Sequence, residues 1–418
     1  MPGTQSCVQN TRWSTVNLKN AFQPSGPWEF VLANNSRSYL NLQRCKLIFT
    51  FDITDTAGKV VNIPARTIGN ELIYGPINNI AHSIIKTMNV HLNSKLVYHN
   101  SDNYAYKAYF ENVLMYSKDI KDSTLSAAGF FHEEDVGQLC EGFTKRCGVG
   151  ETQVAADISV DLMNQSRVLL NGSNLKLTVY PNSSEFLIQA FGHGNTKFKF
   201  NIKDVYALIN EYDLTDGMSN ALEAAVLEHK FLQYPMICPS IRSFYIDPNR
   251  YDAPANTIFT TKMPRRLFLG LVSSEAYNGS FGTSPFCFKP YGITNIHVDA
   301  CGMSFPGRPM NMDFANNKFI ESYVMLQESL GHIRNNHSCN SISREMFASK
   351  GYTIFGFELS AVAKDSSLFD LNKITNVSIR LNFSELVPAG GLYCVVYAEF
   401  DGILSLDPFR NAIVDQSG

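Results

Sequence analysis

The sequence contains few charged residues. Asp, Glu, Lys and Arg make up 17% of its 418 residues, against about 25% in a typical soluble protein. The formal net charge is -3, and no run of Lys or Arg gathers at either end. The chain therefore lacks the basic stripe with which proteins neutralise nucleic-acid phosphates, and direct nucleic-acid binding is not expected to be its main function.

Long apolar runs are also absent. No stretch approaches the ~20 consecutive apolar residues that span a bilayer, and residues 1–20 hold no apolar segment of signal-peptide length. We therefore expect a protein with no membrane span that is synthesised in the cytosol. The nine cysteines are scattered without a Cys-x-x-Cys pair, so we expect reduced thiols, with neither a disulfide framework nor a zinc site.

Apolar residues, by contrast, are abundant. They reach 44% of the chain, and aromatic residues reach 12%, which suggests that other subunits cover part of the surface. The length exceeds that of one ordinary core, because compact domains usually divide above about 250 residues. Two domains are the default expectation.

The clearest local pattern is alternation of apolar and polar residues, which predicts half-buried β-strands. It is found near residues 47–54, 175–179, 197–202 and 377–384. Helical spacing is sparse, and it predicts helices over residues 103–116, 216–230 and 319–330. The helix over 216–230 follows Thr215, a plausible N-cap residue, and lies near the middle of the chain.

The two halves of the sequence resemble each other. Residues 89–93 (NVHLN) match residues 295–299 (NIHVD), and residues 174–179 (NLKLTV) match residues 376–381 (NVSIRL). The two matches keep the same order at nearly the same offset, and each copy of the first is followed by an aromatic-rich helical stretch. This pattern indicates tandem duplication of a unit of many short strands, which suits a β-sandwich of the jelly-roll kind.

The predicted fold class is therefore all-β, with two tandem jelly-roll sandwiches, a few short helices in loops and a linker helix. We predict an N-terminal arm over residues 1–27 and a first jelly roll over 28–214. A connecting helix over 215–232 leads to a second jelly roll over 233–406 and a C-terminal tail over 407–418.

Six segments carry a resemblance to a known family, and they run in order through nearly the whole chain: residues 89–97, 104–111, 268–272, 276–280, 342–345 and 396–401. The chain resembles the double jelly-roll, hexon-like major capsid proteins of double-stranded DNA viruses. The likeness is greatest to the hexon-type proteins of adomaviruses and of adintovirus or Maverick-like elements.

The resemblance implies a structural protein of the virion with no catalytic residues and no cofactor. Its expected form is a homotrimer whose six rolls make a pseudo-hexagonal capsomer of an icosahedral capsid. Its expected partners are neighbouring capsomers and minor capsid or penton proteins.

Five residues are candidate assembly contacts. The strand over residues 392–400 is apolar on both faces, which indicates burial on both sides by a loop or by a neighbouring subunit; its candidates are Tyr393, Val395 and Tyr397. Trp13 and Trp28 are isolated aromatics near the polar N-terminus, and we expect Trp13 to anchor the arm. The long segments 117–151 and 278–294 are expected to form subunit contacts or outer surface.

Signatures of catalysis and metal binding are weak. His132-Glu133-Glu134-Asp135 places three carboxylates beside an imidazole, but neighbours on a loop rarely converge on one ion. No His-x-His spacing supports a cupin-like metal site. We therefore predict no enzyme activity and no metal. A jelly-roll lectin that binds carbohydrate is the alternative function, and paired acids of a glycosidase are not excluded by spacing alone.

Overall fold

The computed structural model describes residues 5–33, 38–56, 58, 73–100, 102–147, 150–192, 197–229, 231–332, 340–361, 368–369 and 374–414. Parts of the predicted features lie outside these residues, among them the first four residues of the N-terminal arm and the last four residues of the C-terminal tail.

The first half of the chain forms a β-sandwich. Its strands are β1 (Val8–Val16), β2 (Trp28–Ala33), β3 (Ser38–Asp55), β4 (Ile73–Pro76), β5 (Ile85–Leu92), β6 (Lys95–His99), β7 (Thr152–Asp157), β8 (Asn174–Pro181), β9 (Ile188–Phe191) and β10 (Phe198–Leu214). One four-stranded sheet has the order β1-β10-β3-β7, and the sheet opposite it has the order β2-β8-β5-β6. A small sheet pairs β4 with β9.

The second half forms another sandwich. Its strands are β11 (Leu232–Ile246), β12 (Asp252–Phe259), β13 (Arg266–Ser273), β14 (Ile293–Ala300), β15 (Met303–Phe305), β16 (Ile354–Glu358), β17 (Val377–Phe383), β18 (Leu392–Leu406) and β19 (Ala412–Val414). One sheet has the order β11-β18-β13-β16, with β19 paired to β18, and the other has the order β12-β17-β14-β15.

Helices occupy the connections between strands in the described residues. They are α1 (Ile80–Ser83), α2 (Tyr104–Met115), α3 (Lys118–Asp122), α4 (Glu141–Thr144), α5 (Ser184–Leu187), α6 (Asp216–His229), α7 (Ser274–Asn278), α8 (Ile320–Ser329) and α9 (Arg344–Ser349). The three predicted helices correspond to α2, α6 and α8, and the last residue predicted for α6, Lys230, lies outside the described residues.

The two sandwiches have the same strand order. When the small β4–β9 sheet and β19 are set aside, β1, β10, β3 and β7 correspond in turn to β11, β18, β13 and β16. In the same way β2, β8, β5 and β6 correspond to β12, β17, β14 and β15. The repeated sequence segments fall on the equivalent strands β5 and β14, and β8 and β17. The predicted double jelly roll is therefore confirmed.

The alternating patterns place their apolar residues inward. In β17 the buried residues are Val377, Ile379, Leu381 and Phe383, with polar residues between them. The buried residues of the two rolls nevertheless form one continuous apolar cluster, because aromatic residues join the rolls across their interface.

The chain ends are more structured than expected. Residues 8–16 of the predicted arm form β1, which pairs antiparallel with β10. Residues 412–414 of the predicted tail pair with β18. Arg410 links this end to the first roll and to α6. Its guanidinium donates to the carbonyl of Asn171 in the first roll at 3.1 Å and contacts Glu223 of α6 at 2.5 Å. The predicted domain limits themselves stay predictions.

Candidate functional site

The outer face of β18 carries three of the candidate assembly residues. Val395 and Tyr397 are buried, and Tyr393 is half-buried. The ring of Phe110 in α2 lies parallel to the ring of Tyr397, with 6.0 Å between centroids. The first roll of the same chain therefore covers this part of β18, and a role of Tyr393, Val395 and Tyr397 in assembly stays a prediction.

A stack of three tyrosine rings extends this interface. Tyr277 of α7 lies 5.4 Å from Tyr106 of α2 and 3.9 Å from Tyr393, with nearly parallel planes. Its hydroxyl donates to the Asn103 side chain at 2.8 Å and lies 2.7 Å from the Ser243 hydroxyl. Offset aromatic pairs add about 0.5–1.5 kcal/mol each beyond the area they bury. The two rolls are therefore joined by an ordered core and not only by a linker.

The helix that carries Tyr106 and Phe110 also carries a buried cation, Lys107. The three protons of the Lys107 ammonium are directed to the Ser159 carbonyl at 2.9 Å, the Ser159 hydroxyl at 3.1 Å and Glu111 at 2.9 Å. Burial alone lowers the pKa of Lys107, but the carboxylates of Glu111 and Asp161 outweigh this effect and raise it. Glu111 also accepts from the Tyr397 hydroxyl at 3.4 Å, which extends the network to the second roll.

Asp161 is the carboxylate that this network leaves least satisfied. Its Oδ1 lies 3.8 Å from the Lys107 ammonium, whose protons are already engaged, and it has no hydrogen-bond partner among the described residues. Burial raises the pKa of Asp161 to about 7, although Lys107 opposes the shift. The Cys238 thiol of β11 also opposes this shift. A buried charge without full pairing lowers stability.

We expect Asp161→Asn to remove a pH dependence of stability. The folded pKa of Asp161, about 7, lies above the unfolded value of about 3.9. The protonated Asp161 carboxyl is tolerated in the folded protein, so its full contribution to stability is present below pH ~4. This contribution is lost as the pH rises to ~7 and the buried carboxyl ionises. The variant should melt a few degrees higher than wild type at pH 8, and the difference should vanish near pH 4. Thermal melts across this range test it, with Asp157→Asn as the control, because the Asp157 side chain is 59% exposed.

The His132–Asp135 segment does not converge on an ion. The Glu133 carboxylate lies 2.5 Å from Arg146 in a pair that is almost fully buried. Asp135 instead points to Lys350 of the second roll, at 3.1 Å. Burial raises the pKa of Glu133, and Arg146 acts against that shift. Among the described residues, no group of three or more His, Cys, Asp or Glu side chains is placed to hold a metal.

The two long segments predicted as contact regions meet each other. In the described part of segment 117–151, the Val136 amide donates to the Lys350 carbonyl at 3.0 Å. The Val136 carbonyl accepts from the Cys287 thiol, in segment 278–294, at 3.1 Å. Both segments therefore contribute to the interface between the rolls of one chain.

The two tryptophans have opposite environments. Trp28 has no exposed surface, and its indole N–H donates to the Gln23 carbonyl at 2.8 Å. A side chain buried in this way offers a neighbouring subunit nothing to bind, so its place in the core replaces the predicted assembly contact. Trp13 in β1 is 53% exposed. Its role in assembly stays a prediction.

An open groove of about 1120 Å³ runs along the seam between the rolls. Residues of both rolls line it, among them Glu111, Asp161, Met236, Tyr397 and Glu399. The Glu399 carboxylate is paired with both nitrogens of the Arg266 fork, at 2.7 and 2.9 Å. Most groove charges are thus compensated from within the chain.

No helix in the described residues is long and apolar enough to cross a membrane.

Sequence reasoning missed the charged residues of the interface. One signal was available for Lys107, because it stands in the aromatic-rich stretch YAYKAYFE of a chain that is poor in charge. A lone cation in such a stretch is either exposed or paired in the core, and only the fold shows which. Nothing comparable distinguishes Arg146, and Glu133 stood out only as one of the three carboxylates beside His132.

The double jelly roll recurs in solved viral structures. A chain of the Sputnik virophage structure aligns with all of this chain and 90% of its own length, at a TM-score of 0.69 and 12% identity. The Faustovirus major capsid protein aligns with 96% of this chain and 92% of its own length, at a TM-score of 0.58 and 6% identity. The mavirus major capsid protein aligns with 96% of this chain and 90% of its own length, at a TM-score of 0.55 and 11% identity. The fold is therefore that of double jelly-roll major capsid proteins.

A much nearer relative is a Caenorhabditis elegans protein named "Uncharacterized protein F54H12.2". It is 70% identical over 416 residues, which are 99% of either chain. The chain belongs to the same family as this nematode protein. No protein-family profile matches the sequence.

Proposed function

We propose that the protein is a major capsid protein that assembles into the shell of a virus or virus-derived particle. The observation that carries this proposal is the repeated strand order of two fused rolls over the whole chain, in the fold that major capsid proteins share. Such rolls keep most backbone groups paired internally, so they can be tiled side by side as rigid bodies.

The proposed building block is a homotrimer. Three copies of a two-roll chain present six similar walls around a threefold axis, and closed cyclic symmetry satisfies those walls within the ring. The trimer would be a pseudo-hexagonal capsomer that contacts neighbouring capsomers and minor capsid or penton proteins in an icosahedral shell. A relationship to adomavirus or adintovirus hexon-type proteins is the finer form of this proposal.

The proposed role is structural and not enzymatic. The described cysteines are all free, which suits synthesis in the reducing cytosol of a host. Most charges at the interface are paired within the chain, and the pair of Asp135 with Lys350 joins the two rolls. No feature of the described residues favours the lectin alternative.

Light scattering coupled to size-exclusion chromatography tests the proposal. Purified protein at micromolar concentration should have three times the 46.7 kDa mass of one chain, and concentrated samples should form ordered lattices. A stable monomer, with or without affinity for a glycan, would contradict the capsid function.

A further inference from the structure

The interface inside the chain shows how one roll covers another. The outer face of β18 and β11 in the second roll is covered by α2 of the first roll, with Phe110 against Tyr397. In the first roll the equivalent strands are β10 and β1. If rolls meet in one way throughout a closed ring, the outer face of β10 and β1 also needs a cover.

That equivalent face mixes apolar with polar side chains, and within the described residues it is left partly exposed. Antiparallel pairing places Thr15 beside Leu208 and Tyr206 beside Ile48, so these residues share the outer face with Trp13. Trp13 is 53% exposed, and Tyr206 and Leu208 are half-buried. In β18, the equivalent strand of the second roll, Val395 and Tyr397 are buried, and Phe110 of the first roll packs against Tyr397.

β1 is exposed to an extent that is unusual for a regular strand. Every one of its nine residues is exposed or half-buried, and β10 is its partner strand in the sheet. An edge strand with an exposed aromatic favours uncontrolled association unless another element covers it. The exposed edge strand β1 is therefore a second reason to expect that a specific surface covers this face.

The second roll carries a helix suited to that role. α8 lies between β15 and β16, as α2 lies between β6 and β7. Its inner side packs closely on β16, where a Cβ on Gly356 would lie 2.4 Å from the Ser329 hydroxyl. Its outer side presents Ile320, which is 42% exposed, and Val324, which is half-buried, one turn apart.

We propose that the outer face of β1 and β10 binds α8 of a second copy of this chain. Each copy then offers its first-roll face to one neighbour and its α8 to the other. Such a head-to-tail contact closes into a ring when the rotation fits three copies. This inference rests on the proposed function, since it assigns the surfaces that hold the proposed trimer together.

Charge substitutions on both sides test the proposal. Trp13→Arg/Leu208→Arg on the face, or Ile320→Arg/Val324→Arg on α8, should reduce the molar mass threefold, to that of one chain. Buried arginines at an apolar contact have no partner and prevent association. The matched control is Leu96→Arg/Tyr180→Arg, which changes two exposed apolar residues of the opposite sheet, 45% and 41% exposed. This control should remain trimeric.

The outcomes separate the two proposals. A monomeric wild type would overturn the proposed function and this inference with it. A trimeric wild type whose face and α8 variants, folded by circular dichroism, also remain trimeric would overturn this inference alone.

Fluorescence quenching of the wild-type protein tests the proposal without a variant that could misfold. The chain has only two tryptophans, and Trp28 is already buried. Acrylamide should quench about half of the fluorescence of a monomer and almost none of that of the trimer. An intact trimer in which Trp13 is quenched as freely as in a monomer would overturn the proposal.

Discussion

Replacing Arg146 with methionine should lower the free energy of unfolding by about 3–5 kcal/mol, because it leaves Glu133 as a buried, unpaired charge. The Arg146 and Glu133 side chains are only 1% and 3% exposed. Arg146 also donates to the Pro76 carbonyl at 3.0 Å and lies over the Phe143 ring. Chemical denaturation monitored by circular dichroism would measure the loss.

The neighbouring residue supplies a matched control. Lys145 pairs with Glu141, and both side chains are more than half exposed, so Lys145→Met should change stability by less than about 0.5 kcal/mol. Adding Glu133→Gln to Arg146→Met should restore much of the loss. The defect of Arg146→Met should also shrink from pH 8 to pH 5, because the folded state can protonate Glu133, whose pKa burial already raises. Equal effects at positions 145 and 146 would contradict this account.

Replacing Phe110 with alanine should cost about 3–5 kcal/mol and weaken the coupling between the rolls. Phe110 is fully buried and contacts two rings of the second roll, Phe288 at 5.2 Å and Tyr397 at 6.0 Å between centroids. The cavity would open in the interface and not inside one sandwich. Calorimetry should therefore show a lower melting temperature and a transition that broadens or splits into two.

Tyr116→Ala is the control for this prediction. Tyr116 follows the same helix but is 39% exposed, so its removal should leave one transition with a small shift. If Phe110→Ala melts in a single sharp transition like that of wild type, the aromatic interface does not couple the rolls.

The sandwich strands could be predicted because their signal is local. Alternation in residues 377–383 follows directly from the geometry of a strand with one buried face. The tandem repeat was also visible, because equivalent strands β5 and β14 retain similar residues. Helix α6 was found from its N-cap and its position between the repeats.

The assembly of the two rolls could not be predicted in the same way. The pattern of Tyr393, Val395 and Tyr397 indicated a second cover over β18, but a sequence does not tell whether that cover is the same chain or another. The polar, exposed residues of β1 are typical of an arm, and the sequence did not show that this segment pairs with β10. Both cases depend on contacts between distant segments, which local periodicity does not encode.

The interface inside the chain gives the proposed assembly a physical basis. Most of its charges are paired and its rings are stacked, so the rolls of one chain are held in a fixed relation. Among the described residues, the first-roll face around Trp13 and Leu208 is left partly exposed. A rigid pair of rolls with an uncovered face is suited to closing a ring with its own copies.

Cryo-electron microscopy of the purified protein tests the central claim most directly. The account predicts particles with threefold symmetry and six lobes, two from each chain, with the Trp13 face buried between copies. Single two-lobed particles at micromolar concentration would contradict it.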